Sequence, residues 1–179
     1  AFLDIYYRDA LHYSSRINLS KQASYEKTDE LIEKYEGDYS ASVAVKIEEK
    51  AVSLDIYHTP SNLVRFPDED NSFVEIKNDG VYLCMRLAEE FNLSKGDTFE
   101  VSPYGSDKAY TLKVAGVIRS VSENMVISPE YAESIELPYT VNAIYTETDK
   151  TDISSDSAIA SVQSKQAIID SFDSMMELM

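Results

Sequence analysis

The chain opens on an alternation of apolar and polar positions. Leu11, Tyr13, Ile17 and Leu19 share one face and Ser15 interrupts it, which predicts a strand over 11–19. The apolar and aromatic residues 2–7 extend that strand or form a lead-in helix. From Ser24 the period lengthens to that of a helix reaching Tyr35. Ser24 is placed to cap it, Thr28, Leu31, Ile32 and Tyr35 form its stripe, and Gly37 supplies the stop. Two alternating segments follow, Val43/Val45/Ile47 and Val52/Leu54/Ile56, joined by the polar turn Glu48-Glu49-Lys50. Residues 59–72, with Pro60, Pro67 and the acidic run Asp68-Glu69-Asp70, predict a loop, and Phe73 to Ile76 a short strand.

From Gly80 the spacing of Cys84, Leu87, Ala88 and Phe91 predicts a helix, with Asn78 or Asp79 as its cap. Leu93-Ser94-Lys95-Gly96-Asp97 ends it and turns into a strand containing Phe99 and Val101. A turn over 103–107 leads to a second strand with Tyr110, Leu112 and Val114 on one face. Gly116 inside that strand signals a bulge or a close backbone approach. Met125 to Ile127 predicts a short strand, and Ser128-Pro129-Glu130 a short helix with proline at its first position. Tyr139 to Thr146 and Ile159 to Gln163 read as strands, separated by a polar connection over 147–157. A closing helix starts near Lys165. Ile168, Phe172, Met175 and Met179 form its stripe, flanked by Ile169 and Met176.

Composition narrows the function. A chain of 179 residues with 44% hydrophobic content can bury a real core. Thirty-two acidic against 16 basic side chains give a formal charge of −16, which repels phosphate backbones and argues against nucleic-acid binding. The one cysteine, Cys84, cannot form an internal disulfide. It sits in the apolar run Val81 to Met85 and reads as a buried small hydrophobe. That run is far short of the roughly 20 residues a bilayer span needs, and no signal peptide is present. A first residue that is not Met, and a final helix without a polar or glycine stop, suggest a segment of a longer protein.

Candidate chemistry is sparse. The five glycines, at 37, 80, 96, 105 and 116, form neither a phosphate-binding loop nor a nucleophile elbow. His12 and His58 lie in strand patterns away from any acidic cluster with ligand spacing, so they read as structural or surface residues. Asp68-Glu69-Asp70-Asn71-Ser72 is a faint calcium-loop pattern with Asp79 at the twelfth place. Phe73 stands where that turn needs glycine, which favours a solvated acidic loop. Glu89 and Glu90 are adjacent on a helix and point apart, which is wrong for an acid–base pair. The thirteen tyrosines fall mostly at strand and helix-stripe positions and read as packing residues.

One stretch carries more. From Gly80 the chain reads G-V-x-L-x-x-x-L-A-E-x-F-x-L, then Lys95-Gly96-Asp97, then V-A-G-V-I at 114–118 and I-S-P-E-Y at 127–131. With the closing phrase from Ser161 to Met175, this order resembles the extracytoplasmic domains of FtsX/MacB-type ABC transporter permeases, and the first 75 residues supply a compatible βαβ beginning. The resemblance implies an α+β fold: a membrane-proximal, porter-like, ferredoxin-like βαβ layer over 1–48 and 138–179, split by a β-rich mixed α/β insertion over 49–137. The chain departs from that layout in showing no long helix between strands 139–146 and 159–163.

The resemblance further implies a domain on the extracytoplasmic face of the cell membrane that is no enzyme itself and holds no cofactor. It would couple cytoplasmic ATP hydrolysis to export, to lipoprotein or peptide handling, or to activation of a partner outside the membrane. Its partners would be the transmembrane helices of the same permease, indirectly the cytoplasmic ATP-binding subunit, and a second permease copy. Phe172, Met175, Met176 and Met179 are the candidate coupling or partner surface, or else the face that packs under the sheet. Low cysteine and a small insertion lean towards a Gram-positive-type system. Two other readings stand beside this one. The first is a secreted or surface-anchored binding module without a transporter role. The second is a hydrolase, which would need a deep pocket bringing His58 or His12 to a carboxylate.

Overall fold

A computed structural model of the chain describes residues 10–21, 24–35, 37–147 and 158–178. In chain order the elements are β1 (Ser15–Leu19), α1 (Tyr25–Tyr35), β2 (Asp38–Ile47), β3 (Lys50–His58), β4 (Phe66–Pro67), β5 (Phe73–Val74), β6 (Val81–Cys84), α2 (Met85–Glu90), β7 (Thr98–Pro103), β8 (Tyr110–Ile118), β9 (Asn124–Ile127), α3 (Pro129–Ser134), β10 (Val141–Thr146), β11 (Ile159–Ser164) and α4 (Lys165–Glu177). The expected lead-in over 2–7 and most of the connection over 147–157 lie outside the described residues. The chain divides into two compact units. Unit 1 takes Ala1–Ser40, Thr59–Arg65 and Val141–Met179, and unit 2 takes Ala41–His58 and Phe66–Thr140.

In unit 1, β1 lies between β10 and β11 and is antiparallel to both, with Ile17 opposite Ile144 on one side and Val162 on the other. Helix α1 begins as its sequence predicts, the Ser24 hydroxyl accepting the Lys27 N–H at 3.1 Å. Its stripe places Leu31 in a core with Ile17, Leu19, Ile144 and Ile159, against which Ile32 and Tyr35 pack. Two details differ from the sequence reading. The strand starts at Ser15 instead of Leu11, because the preceding residues pair with the 63–65 segment: the His12 N–H donates to the Leu63 carbonyl and the Arg65 N–H to that of Ala10, each at 2.6 Å. Ser15 continues the buried face of β1 and is fully buried. Gly37 serves a different purpose from a left-handed stop. A Cβ there would lie 2.0 Å from the Tyr145 carbonyl oxygen, so the residue is set by close backbone approach.

Unit 2 is a ring of six strands. Going round it, β2, β3, β9, β6, β8 and β7 are neighbours, and β7 returns to β2. Two contacts are parallel, β3 with β9 and β6 with β8, and the pairings of β9 with β6, β8 with β7 and β7 with β2 are antiparallel. The ring encloses Leu54, Ile56, Leu83, Leu112, Met125 and Ile127, all fully buried. Alternation in β3 and β8 follows the sequence pattern.

The helix expected from Gly80 is mostly a strand. Val81, Tyr82, Leu83 and Cys84 are buried on both faces as β6, and only Met85–Glu90 is helical. A short apolar run buried on both sides carries no period by which strand and helix can be told apart. Gly116 fulfils both halves of its expectation. The β6–β8 register shifts between Val81 and Tyr82, and a Cβ at Gly116 would meet the Tyr82 ring at 3.2 Å. Beside that bulge the Lys113 N–H donates to the Tyr131 hydroxyl at 3.1 Å.

The Gly96-Asp97 turn is stitched to β8. The Gly96 N–H, at φ +95°, donates to the Val114 carbonyl, and the Asp97 carboxylate accepts the Ser94 N–H. Ser128 caps α3 through the Tyr131 N–H, with Pro129 in the first turn.

Gly37→Ala should destabilise unit 1 by about 2 kcal/mol, within the range for forced overpacking. Chemical denaturation followed by circular dichroism checks this, and unchanged stability would contradict the close approach.

Candidate functional site

The candidate coupling residues lie on α4. Its first turn is secured to unit 1. The Ser164 hydroxyl accepts the Ala167 N–H at 3.0 Å, the Lys165 N–H donates to the Ser14 carbonyl at 2.9 Å, and the Lys165 ammonium donates to the Leu11 carbonyl at 2.6 Å. Partial burial lowers the Lys165 pKa. Beyond that turn the described side chains are half-buried or exposed. Ile169 is half-buried, Met175 is 55% exposed and Leu178 is 89% exposed. Met175 therefore does not pack under the sheet, the alternative that its helical spacing had allowed. The backbones of Phe172 and Met176 belong to α4, their side chains fall outside what is described, and Met179 lies outside the described residues.

The two histidines lie in different units. His12 belongs to unit 1 and His58, half-buried at the end of β3, to unit 2. An open cleft of about 330 Å³ in unit 1 is lined by His12, Ser61, Asn62, Leu63, Arg65 and Glu147. There Arg65 NH2 lies 2.5 Å from His12 Nε2, and since a guanidinium can only donate, that nitrogen is the acceptor. No hydrogen bond among the described residues joins the Glu147 carboxylate to His12. The adjacent loop is held by Asp38, fully buried, whose two oxygens accept the Ser61 and Leu63 N–H groups at 3.0 and 2.8 Å.

The acidic run over 68–72 closes on itself, with residues 69–72 exposed. One Asp68 oxygen accepts the Asp70 and Ser72 N–H groups at 2.8 and 3.0 Å, closing the turn between β4 and β5. No group of three or more metal-ligating side chains occurs among the described residues. Cys84, the residue before α2, is buried.

A second groove, in unit 2 and about 570 Å³ in volume, is lined by Lys46, Ile47, Glu48, Phe91, Leu93, Phe99, Glu100 and Ser102. It follows the line where β7 returns to β2. These two strands pair briefly, Val45 with Pro103 and Lys46 with Ser102, with one further bond from the Tyr104 N–H to the Ala44 carbonyl at 3.1 Å. Phe91, Leu93 and Phe99 are half-buried around it, against the ring's core. Sequence reasoning missed this groove, because Glu48 and Glu100 come to line one groove only once the pairing of β2 with β7 is known.

The molecule is similar in fold to two solved structures. One is the periplasmic region of MacB from Actinobacillus actinomycetemcomitans, at 9% identity over 92% of this chain and 94% of that one, with a TM-score of 0.48. The other is the extracellular domain of the noncanonic ABC-type transporter YknZ from Gram-positive bacteria, at 13% identity over 76% and 84%, with a TM-score of 0.45. One is periplasmic, the other extracellular. No family profile and no curated protein sequence matches the chain. Among the described residues no helix is long and apolar enough to cross a membrane.

Of the paired glutamates on α2, Glu90 contacts Lys50 at 2.5 Å, while Lys50 also reaches Glu123 at 3.0 Å and Arg86 reaches Glu123 at 3.6 Å. The hydrogen bonds to Glu90 and Glu123 raise the Lys50 pKa, and the hydrogen bond from Lys50 lowers that of Glu123. A lowered carboxylate stabilises the fold above its ordinary range and loses that contribution as pH falls through its folded value; the raised lysine loses its own as pH rises through its folded value. In unfolding titrations from neutral pH to about pH 3, Lys50→Ala should therefore show a shallower loss of stability than the parent chain. An identical slope would remove Glu123 from the acid limb.

Proposed function

We propose that the chain is the extracytoplasmic domain of an ABC-type permease and acts mechanically, without catalysis of its own. The observation that carries this reading is the bonding of β1 to both β10 and β11. The first and last parts of the chain share one small antiparallel sheet, with unit 2 formed from the residues between. A pull or twist delivered at either part is borne by the same three strands. The order of motifs from Gly80 to Ile135 and from Ser161 to Met175 supports the same reading.

In this reading unit 1 is the membrane-proximal layer and α4 the lever, fixed at its first turn, with its described side chains half-buried or exposed beyond it. Phe172, Met175, Met176 and Met179 face transmembrane helices of the same permease or a second copy of it. The cytoplasmic ATP-binding subunit acts on the domain through those helices, as a rigid-body movement. The output is export, handling of a lipoprotein or peptide, or activation of a partner outside the membrane.

The full-length gene product should carry apolar stretches of about 20 residues before and after this segment. Lack of either would favour a surface-anchored binding module instead. Phe172→Pro, which breaks α4 at a cost of about 3 kcal/mol in helix stability, should abolish transport while nucleotide affinity stays within about twofold. Transport and nucleotide binding measured on the full permease test this, and normal transport in the variant would refute the lever.

A further inference from the structure

We propose that the seam between β2 and β7 is a docking site for an extended, basic polypeptide segment that adds as a strand to the free edge of β7. The end of β2 explains why the seam is open. Val45 faces Pro103 and Lys46 faces Ser102, but β2 stops at Ile47 and the turn into β3 begins at Glu48, with φ 55°. Pro103, besides, has no N–H to strengthen the ladder.

Thr98, Phe99, Glu100 and Val101 consequently pair with β8 alone. Their other edge offers about 13 Å of backbone without a strand partner, along a groove of about 570 Å³. Exposed edges of this kind are templates for strand addition. The apolar surface beside it comes from Ile47, Phe91, Leu93 and Phe99.

Charge selects the occupant. Glu48 and Glu100 are exposed in the lining, and neither forms an ion pair among the described residues. Lys46, the cation among the described lining residues, is turned over the Tyr104 ring at 5.2 Å. A strand entering the seam with Lys or Arg at alternate positions would set a cation between the two carboxylates and its apolar residues against Phe91 and Phe99. An acidic strand would meet repulsion from both carboxylates.

This inference is independent of the coupling role and is tested on the 179-residue chain alone. A fluorescently labelled peptide of alternating valine and lysine should bind saturably by anisotropy and slow hydrogen exchange at the amides of residues 98–101. Glu48→Lys combined with Glu100→Lys should weaken binding about tenfold. Because the whole chain is acidic, charge alone could attract the peptide, so backbone N-methylation at every second residue supplies the control. It leaves the charge intact and should abolish binding in one of its two phases. Absence of binding, survival of binding in both methylated phases, or protection confined to other strands would each overturn the proposal.

Discussion

Unit 2 rests on the return of β7 to β2. A ring of strands has no edges when every strand finds two neighbours, and this ring closes over two residue pairs and one further bond, from the Tyr104 N–H to the Ala44 carbonyl. That short contact suffices to define an interior, and the fully buried residues Leu54, Leu83, Leu112, Met125 and Ile127 fill it. Closure over a longer stretch is prevented by the turn into β3, which begins at Glu48. The same short contact thus accounts for the packed core and for the groove at its margin.

Unit 1 depends on a different device. Its sheet centres on β1, which donates and accepts on both sides, and its loop 59–65 is tied down by the buried Asp38 carboxylate through two N–H groups. A buried carboxylate whose oxygens both accept hydrogen bonds avoids the penalty of an unpaired buried charge. His12 and Arg65, which in isolation suggest a catalytic pair, belong to this tie, along a backbone already zipped from residue 10 to residue 65.

Much of the fold was legible because its strands alternate. Val52, Leu54 and Ile56, and again Tyr110, Leu112 and Val114, declare one buried face each, and the cap at Ser24 marked where α1 begins. Val81 to Cys84 was misread for want of any such alternation, since both of its faces are covered. Phe66 and Pro67 form a two-residue strand inside what reads as a loop, too short to show a period. On α4 the stripe announced a helix, but spacing alone does not tell a covered stripe from an open one, and Met175 proved to be open. Glu48 and Glu100 were invisible as a pair, lying far apart in sequence and in segments that each look like ordinary polar positions.

The partners of β1 bear on the order in which the protein assembles. Everything unit 2 requires has been synthesised once Thr140 is made, whereas β1 must wait for β10 and then β11 before its second side is satisfied. Joining Ile17 to Val162 closes a long loop, and the entropy of that closure falls once the intervening chain has condensed. As the chain emerges N-terminus first, therefore, unit 2 is able to fold first and to draw together the two parts of the chain from which unit 1 is then completed.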